Sequence, residues 1–235
     1  MATLTDDLLT YLFDGQSNLL SQPMASWLTS SRRFAAFADT FRDKIRKKLR
    51  TTQDQESILD LQLELETAYF LLQERSLSVA YEPELSKRIR SPDFAVNFTT
   101  SLTFMLEVTR VQADPKNPLD ARLSDTISAK LGQLLPQRSN ALLVGVEALD
   151  MSPGDLRAVM LGIQRRAERN DLSFLQWYGF RDRADFFHYY QRLSEVLVRG
   201  SQFEAAKSIV AWSNPQAKYP LPGKARTALY RSHTS

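Results

Sequence analysis

A mixed β-sheet flanked by helices, an α/β or α+β layer fold with an N-terminal helical extension, is the architecture these 235 residues predict. Three observations predict it. A strong helical period over 54–74 is followed by three short runs, Leu77–Leu85, Asp93–Phe98 and Leu102–Val111, rich in aliphatic and aromatic residues and bounded by Ser, Pro, Asn and Asp. Helical spacing returns over 119–135. Asn140–Leu149 is then a nearly continuous apolar run, the pattern of a strand covered on both faces.

Residues 4–50 read as helical, with Phe34, Phe37, Phe41, Ile45 and Leu49 on one face. Asp54 is a plausible N-cap for the next helix, whose stripe is Ile58, Leu61, Leu65, Ala68 and Leu72. Ser152-Pro153-Gly154-Asp155 opens another helix, with Ser as N-cap and Pro in the first turn. The stretch 174–190 (Phe174, Trp177, Tyr178, Phe180, Phe186, Phe187, Tyr189, Tyr190) fits core packing or stacking on unpaired bases. Ser194–Arg199 and Ser208–Trp212 read as two last strands. After Pro215, Pro220 and Pro222 the polar tail 223–235 is expected to be loose. The division expected is a helical extension over 1–50, a main α/β domain over 51–222 and that tail.

Composition narrows the chemistry. There is no cysteine, which excludes disulfides, thiolate catalysis and cysteine-ligated zinc or iron–sulfur sites. Two histidines, His188 and His233, leave little for a His-rich metal site or a Ser-His-Asp triad. No apolar run approaches a membrane span, and the acids of Met1-Ala2-Thr3-Leu4-Thr5-Asp6-Asp7 stand where a signal peptide needs bases, so a cytoplasmic protein without membrane partners is expected. The formal net charge of +3 is too mild to imply nucleic acid by itself. Between Arg32 and Arg50, however, eight bases (Arg32, Arg33, Arg42, Lys44, Arg46, Lys47, Lys48, Arg50) stand against Asp39 and Asp43, which fits either a phosphate-tracking patch or a solvated helix face.

Strand alternation identifies the residues for chemistry. Met105, Glu107, Thr109 and Val111 share one face of their strand; Phe104, Leu106, Val108 and Arg110 share the other. An acid amid Phe, Met, Leu and Val is costly to bury without a partner or a metal, which singles out Glu107. Asp93, at the start of the preceding strand, can approach Glu107 if the two strands pair. Clustered carboxylates of this kind hold Mg²⁺ or Mn²⁺ for phosphodiester hydrolysis.

Pro92-Asp93 followed by Glu107-Val108-Thr109 resembles the PD…(D/E)xK signature of the PD-(D/E)XK, restriction endonuclease-like superfamily. The resemblance spans residues 54–149 in the order of elements: helix, strand, PD strand, ExK strand, helix, strand. It implies a restriction endonuclease-like sheet, a divalent-metal-dependent nuclease acting on DNA or RNA, and metal ligation by Asp93, Glu107 and a helical glutamate. Glu64, sharing a face with Ala68 and Leu71, is favoured for that last role, with Glu66 as the second candidate. The departure is Thr109, which stands where the family carries lysine and cannot stabilise developing negative charge as an ammonium does. Arg110 is adjacent but points to the opposite face; Lys130, Lys87 and Arg88 are the other candidate cations.

Each of these residues also has a plain role to weigh: Asp93 as a turn or cap, Glu107 as a salt-bridged acid, Glu64, Glu66 and Lys130 as helix surface, Thr109 and Arg110 as structure. A non-catalytic member that binds nucleic acid or protein, and a module whose N-terminal helices form a homodimer, are the competing functions.

Overall fold

One six-stranded sheet organises the chain, with strand order identical to chain order. The computed structural model describes residues 4–16, 18–52, 54–84, 91–100, 102–114, 116–200 and 209–234. β1 (Leu77–Tyr81), β2 (Phe94–Phe98) and β3 (Leu102–Arg110) form an antiparallel meander. β3, β4 (Asn140–Val146) and β5 (Leu193–Gly200) run parallel, and β6 (Ile209–Ser213) closes the edge antiparallel to β5. Parallel neighbours need crossovers, which puts helices on the sheet faces. α6 (Leu119–Leu131) joins β3 to β4, while α7 (Pro153–Glu168), α8 (Leu172–Trp177) and α9 (Arg183–Tyr190) join β4 to β5. The protein is therefore a mixed α+β layer structure, as its sequence pattern predicts.

Each face of the sheet has its own core. β4 is buried along its whole length, and its residues divide by alternation. Ala141 and Leu143 join a core with α1 (Leu4–Phe13), α2 (Ser21–Ser30), α3 (Arg32–Thr40), α4 (Arg42–Thr51) and α5 (Gln55–Gln73), whereas Leu142, Val144 and Val146 join the core of α6–α9. The N-terminal helices are thus part of one helical layer with α5. Trp27 of α2 stacks on Tyr69 of α5 with ring centroids 5.8 Å apart, and the Arg33 guanidinium donates to the Leu72 and Glu74 carbonyls at the end of α5.

Local signals place the helix starts. Asp54 accepts from the Ser57 amide at 2.9 Å. Ser152 and Asp155 close a reciprocal capping box with Pro153 in the first turn. The aromatic stretch resolves into α8 and α9, capped by Asp171 and Asp182. Phe174, Phe180, Phe186 and Tyr190 are core, and Trp177 is 81% exposed.

The expectation of a loose tail is corrected. Gly223–Ser232 forms α10, and Ala225, Ala228, Leu229 and Ser232 are buried. Their spacing is helical, but three of the four are small and weakly apolar, so the sequence signal is faint. The stripe becomes a core element only because α5 lies beneath it. Arg231 ties α10 to Glu74 at 2.5 Å. Among the described residues no helix is long and apolar enough to cross a membrane.

Candidate active site

β3 distributes its side chains as alternation requires. Phe104, Leu106 and Val108 enter the core on the α5 side, and Arg110 on that same side reaches Glu56 and Asp60 of α5, at 2.5 and 3.0 Å. Arg110 also borders a polar cavity of about 270 Å³ with Gln62, Glu66 and Glu147. Glu107 and Thr109 face the α6 side. There Glu107, 4% exposed, meets an ammonium: Lys130 Nζ lies 3.6 Å from its Oε2. Lys130 is the residue before the last in α6, three positions after the buried Ile127 and seven after the buried Leu123. That spacing turns it toward the sheet rather than to water. Thr109, partly buried and one β-step beyond Glu107, therefore sits on a face that already carries a lysine from another element.

Asp93 stands just before β2. The β2–β3 ladder ends at the pair Phe94 and Leu106, so one step further the register sets Asp93 opposite Glu107. The carboxylate takes over where the ladder stops: Oδ2 accepts the Val108 N–H at 2.7 Å. The Asp93 carbonyl accepts from the Glu82 amide at 2.8 Å, which holds it against the end of β1.

Glu64 of α5 approaches this corner from the other helical layer. Lys48 of α4 places its Nζ 2.6 Å from Glu64 Oε1 and 2.8 Å from Glu82 Oε1, and 4.9 Å from the centre of the Tyr81 ring. Burial pushes the Glu64 carboxyl above its ordinary range, the Asp93 charge adds to that push, and Lys48 opposes it. Burial pulls the Lys48 ammonium down, but Glu64 and Glu82 outweigh it and hold it above its ordinary value. Tyr81 is kept un-ionised by burial and by the charges of Glu64, Glu82 and Asp93.

Glu66 goes elsewhere. Two residues along a helix is more than half a turn, and its carboxylate pairs with the buried Arg199 of β5, whose guanidinium lies 4.6 Å from the centre of the Phe70 ring. Burial lowers Arg199 to about 10. Glu66 thus forms a buried ion pair with Arg199, and Arg110 pairs with Glu56 and Asp60 of α5. Lys87 and Arg88 lie outside the described residues.

The structure pairs Glu107 with Lys130 on the α6 side and ties Asp93 to the Val108 amide, with Glu64 bearing on Asp93 from the α5 side. Lys48, Glu82 and Tyr81 are participants that the sequence pattern does not single out. Lys48 could have been found from its place three residues after Ile45 on the inner flank of α4. Among the described residues no group of three or more acidic or histidine side chains converges as a ready-made metal cage.

The fold defines a class: a mixed α+β protein with one six-stranded mixed sheet flanked by helices. Comparison with protein-family models, with curated proteins and with solved structures finds no match.

Proposed function

We propose that the protein is a divalent-metal-dependent nuclease hydrolysing phosphodiesters of DNA or RNA, a divergent relative of the PD-(D/E)XK, restriction endonuclease-like superfamily. The observation that carries this reading is the 3.6 Å approach of Lys130 Nζ to Glu107 Oε2 on the face of β3 shared with Thr109. Lys130 of α6 would take the part of the lysine that Thr109 replaces. The order α5, β1, β2, β3, α6, β4, which is the order the resemblance implies, supports it too.

Asp93 and Glu107 would hold Mg²⁺ or Mn²⁺, with Glu64 on the α5 side as the further candidate ligand. Bound there, the ion would supply an activated water and charge neutralisation. The chain's own contribution is separable from that. Lys130, 17% exposed in its side chain, would place its ammonium in a poorly solvated site, where a positive charge opposes developing negative charge on a phosphate more strongly than it would in water. Asp93 is pre-oriented by the Val108 amide, so it spends little freedom on adopting its working position.

The test is cleavage of plasmid and of single-stranded DNA and RNA with Mg²⁺ or Mn²⁺, wild type beside Asp93→Ala and Lys130→Met. Loss of cleavage by 100-fold or more in both variants is expected, on the order of a lost electrostatic or acid–base contribution. Equal cleavage by all three proteins would sink the proposal.

A second reading is a non-catalytic member of the same fold that binds nucleic acid or protein. It is favoured by one observation: each of Glu64, Glu66 and Glu107 already has a lysine or arginine of this chain within ion-pair distance. Salt-dependent DNA binding without cleavage would select it.

A further inference from the structure

We propose that the polar cavity bordered by Arg110, at the carboxyl ends of β3 and β4, is a binding site for a guanine base.

The site needs no metal ion and no hydrolysis, so it stands apart from the reading above. Its first support is place and shape. β3 ends at Arg110 and β4 at Val146. The Val111 N–H donates to the Gly145 carbonyl at 2.8 Å, so the two parallel strands finish side by side. Ligands of sheets with parallel strands collect outside such carboxyl ends. A cavity of about 270 Å³ lies there, between α5 and the segments that follow β3 and β4. Gln55, Ala113 and Glu147 on its rim are exposed, whereas Leu63, Glu66 and Val111 are buried. It is therefore reached from solvent and ends inside the fold. Its volume is close to the lower end of ligand pockets, about 300–1,000 Å³, and suits one small ring system.

The second support is the lining chemistry. Leu59, Leu63 and Val111 supply apolar walls for a flat ring. The wall at Leu63 is fixed, because Leu63 is seated so closely over Gly145 that a Cβ there would lie 2.5 Å from its Cδ2. The Arg110 side chain is 9% exposed, and Glu56 and Asp60 hold its guanidinium through Nη2 and Nε. Nη1 is the donor left for a ligand. The Glu66 carboxylate is committed to Arg199, so Glu147 is the carboxylate for the ligand's N–H groups, and a carboxylate has about four acceptor sites. One preset donor, one carboxylate and apolar walls are what a flipped or unpaired base meets in a reading pocket. Guanine alone sets a carbonyl acceptor, O6, beside two adjacent donors, N1–H and N2–H. O6 accepts from Arg110, and the two N–H groups donate to Glu147. Adenine and cytosine put a ring acceptor beside their amino group, and thymine or uracil has one N–H between two carbonyls, so each would turn an acceptor toward the carboxylate. A second cavity of about 210 Å³ shares Val111 and Glu147 with the first and is bordered by Arg122, a cation for the phosphate that accompanies the base.

Calorimetric titration of the full chain with the 5′-monophosphates of guanosine, inosine and adenosine, without metal, tests this. The three share one phosphate and one sugar, so differences read the base. The guanosine nucleotide is expected to bind about tenfold or more tightly than the adenosine one, the discrimination of one good bidentate contact. The inosine nucleotide, which lacks the 2-amino group, should fall between them. Glu147→Gln, at an exposed position, offers an amide donor where the base presents N–H groups and should remove the preference. Equal affinity for the guanosine and adenosine nucleotides, or no binding of either, overturns the proposal without recourse to any variant. A guanine preference that survives Glu147→Gln overturns it as well. A short thymidine strand carrying one guanine, set against the same strand without it, separates the two sources of the base. A stronger response to the guanine strand than to the nucleotide assigns the site to nucleic acid, and the reverse assigns it to a free nucleotide; both outcomes support a guanine site. Cleavage assays on the same samples report on the hydrolytic reading independently.

Discussion

Lys130 Nζ, near the end of α6, lies 3.6 Å from Glu107 Oε2 in the middle of β3, and both side chains are largely shielded from water. Breaking a buried pair by deleting one partner strands the other charge, and that usually costs about 3–5 kcal/mol. Lys130 keeps some exposure, so Lys130→Met is expected to lower the unfolding free energy by roughly 2–3 kcal/mol in urea. Glu107→Gln combined with Lys130→Met should recover most of that loss, because no uncompensated charge then remains. A double variant as unstable as the sum of the singles would show that the two groups do not act on each other.

Glu66 and Arg199 make a second buried pair, joining α5 to β5 across 133 residues of sequence. They are 7% and 5% exposed. Arg199→Met should destabilise the fold by about 3–5 kcal/mol while leaving any Mn²⁺ binding of the surviving folded fraction unchanged, because Glu66 is held in the pair with Arg199, away from Asp93 and Glu107. Thermal unfolding and a metal titration on the same sample check both halves. Altered Mn²⁺ affinity in the folded protein would return Glu66 to the list of ligands.

His233 lies 1% exposed at the end of α10, edge-on to Phe70 with ring centroids 5.9 Å apart. Burial, helped by the charge of Arg199, holds its pKa down from 6.5 to about 3. Below pH 6.5 the unfolded chain therefore takes up a proton that the fold refuses. The stabilisation tied to neutral His233 is complete above pH 6.5 and is lost as the pH falls toward 3. Glu64 and Glu195, raised by burial, act in the opposite sense, so the comparison must be with a variant. Urea unfolding from pH 7.5 to 5 should show a decline that His233→Phe reduces by up to about 1.4 kcal/mol per pH unit, the slope of one proton. Identical slopes in the two proteins would refute it.

Much of this arrangement is legible in the chain itself. The period of α5, the apolar run of β4 and the capping signal at Ser152 are local, and each requires only its own neighbours. The phase of β3 is local as well: with Leu106 and Val108 apolar on one side, Glu107 and Thr109 must share the other, and Arg110 must leave them. What the chain does not reveal alone is which charges meet. Lys130 reads as helix surface until α6 is laid on the sheet, and Lys48 reads as one base among eight until α4 is packed on α5. Glu66 looks like the equal of Glu64, two residues away on the same helix, until β5 brings Arg199 beneath it. The small-residue stripe of α10 carries too little apolar surface to declare itself, and only its bed on α5 makes it a helix. Pattern within a segment is set by backbone geometry, which repeats every two or 3.6 residues and so can be read from the letters. Pairing between segments depends on long-range packing, where desolvation makes each buried charge's partner decisive, and in this protein that step alone decides which charges pair.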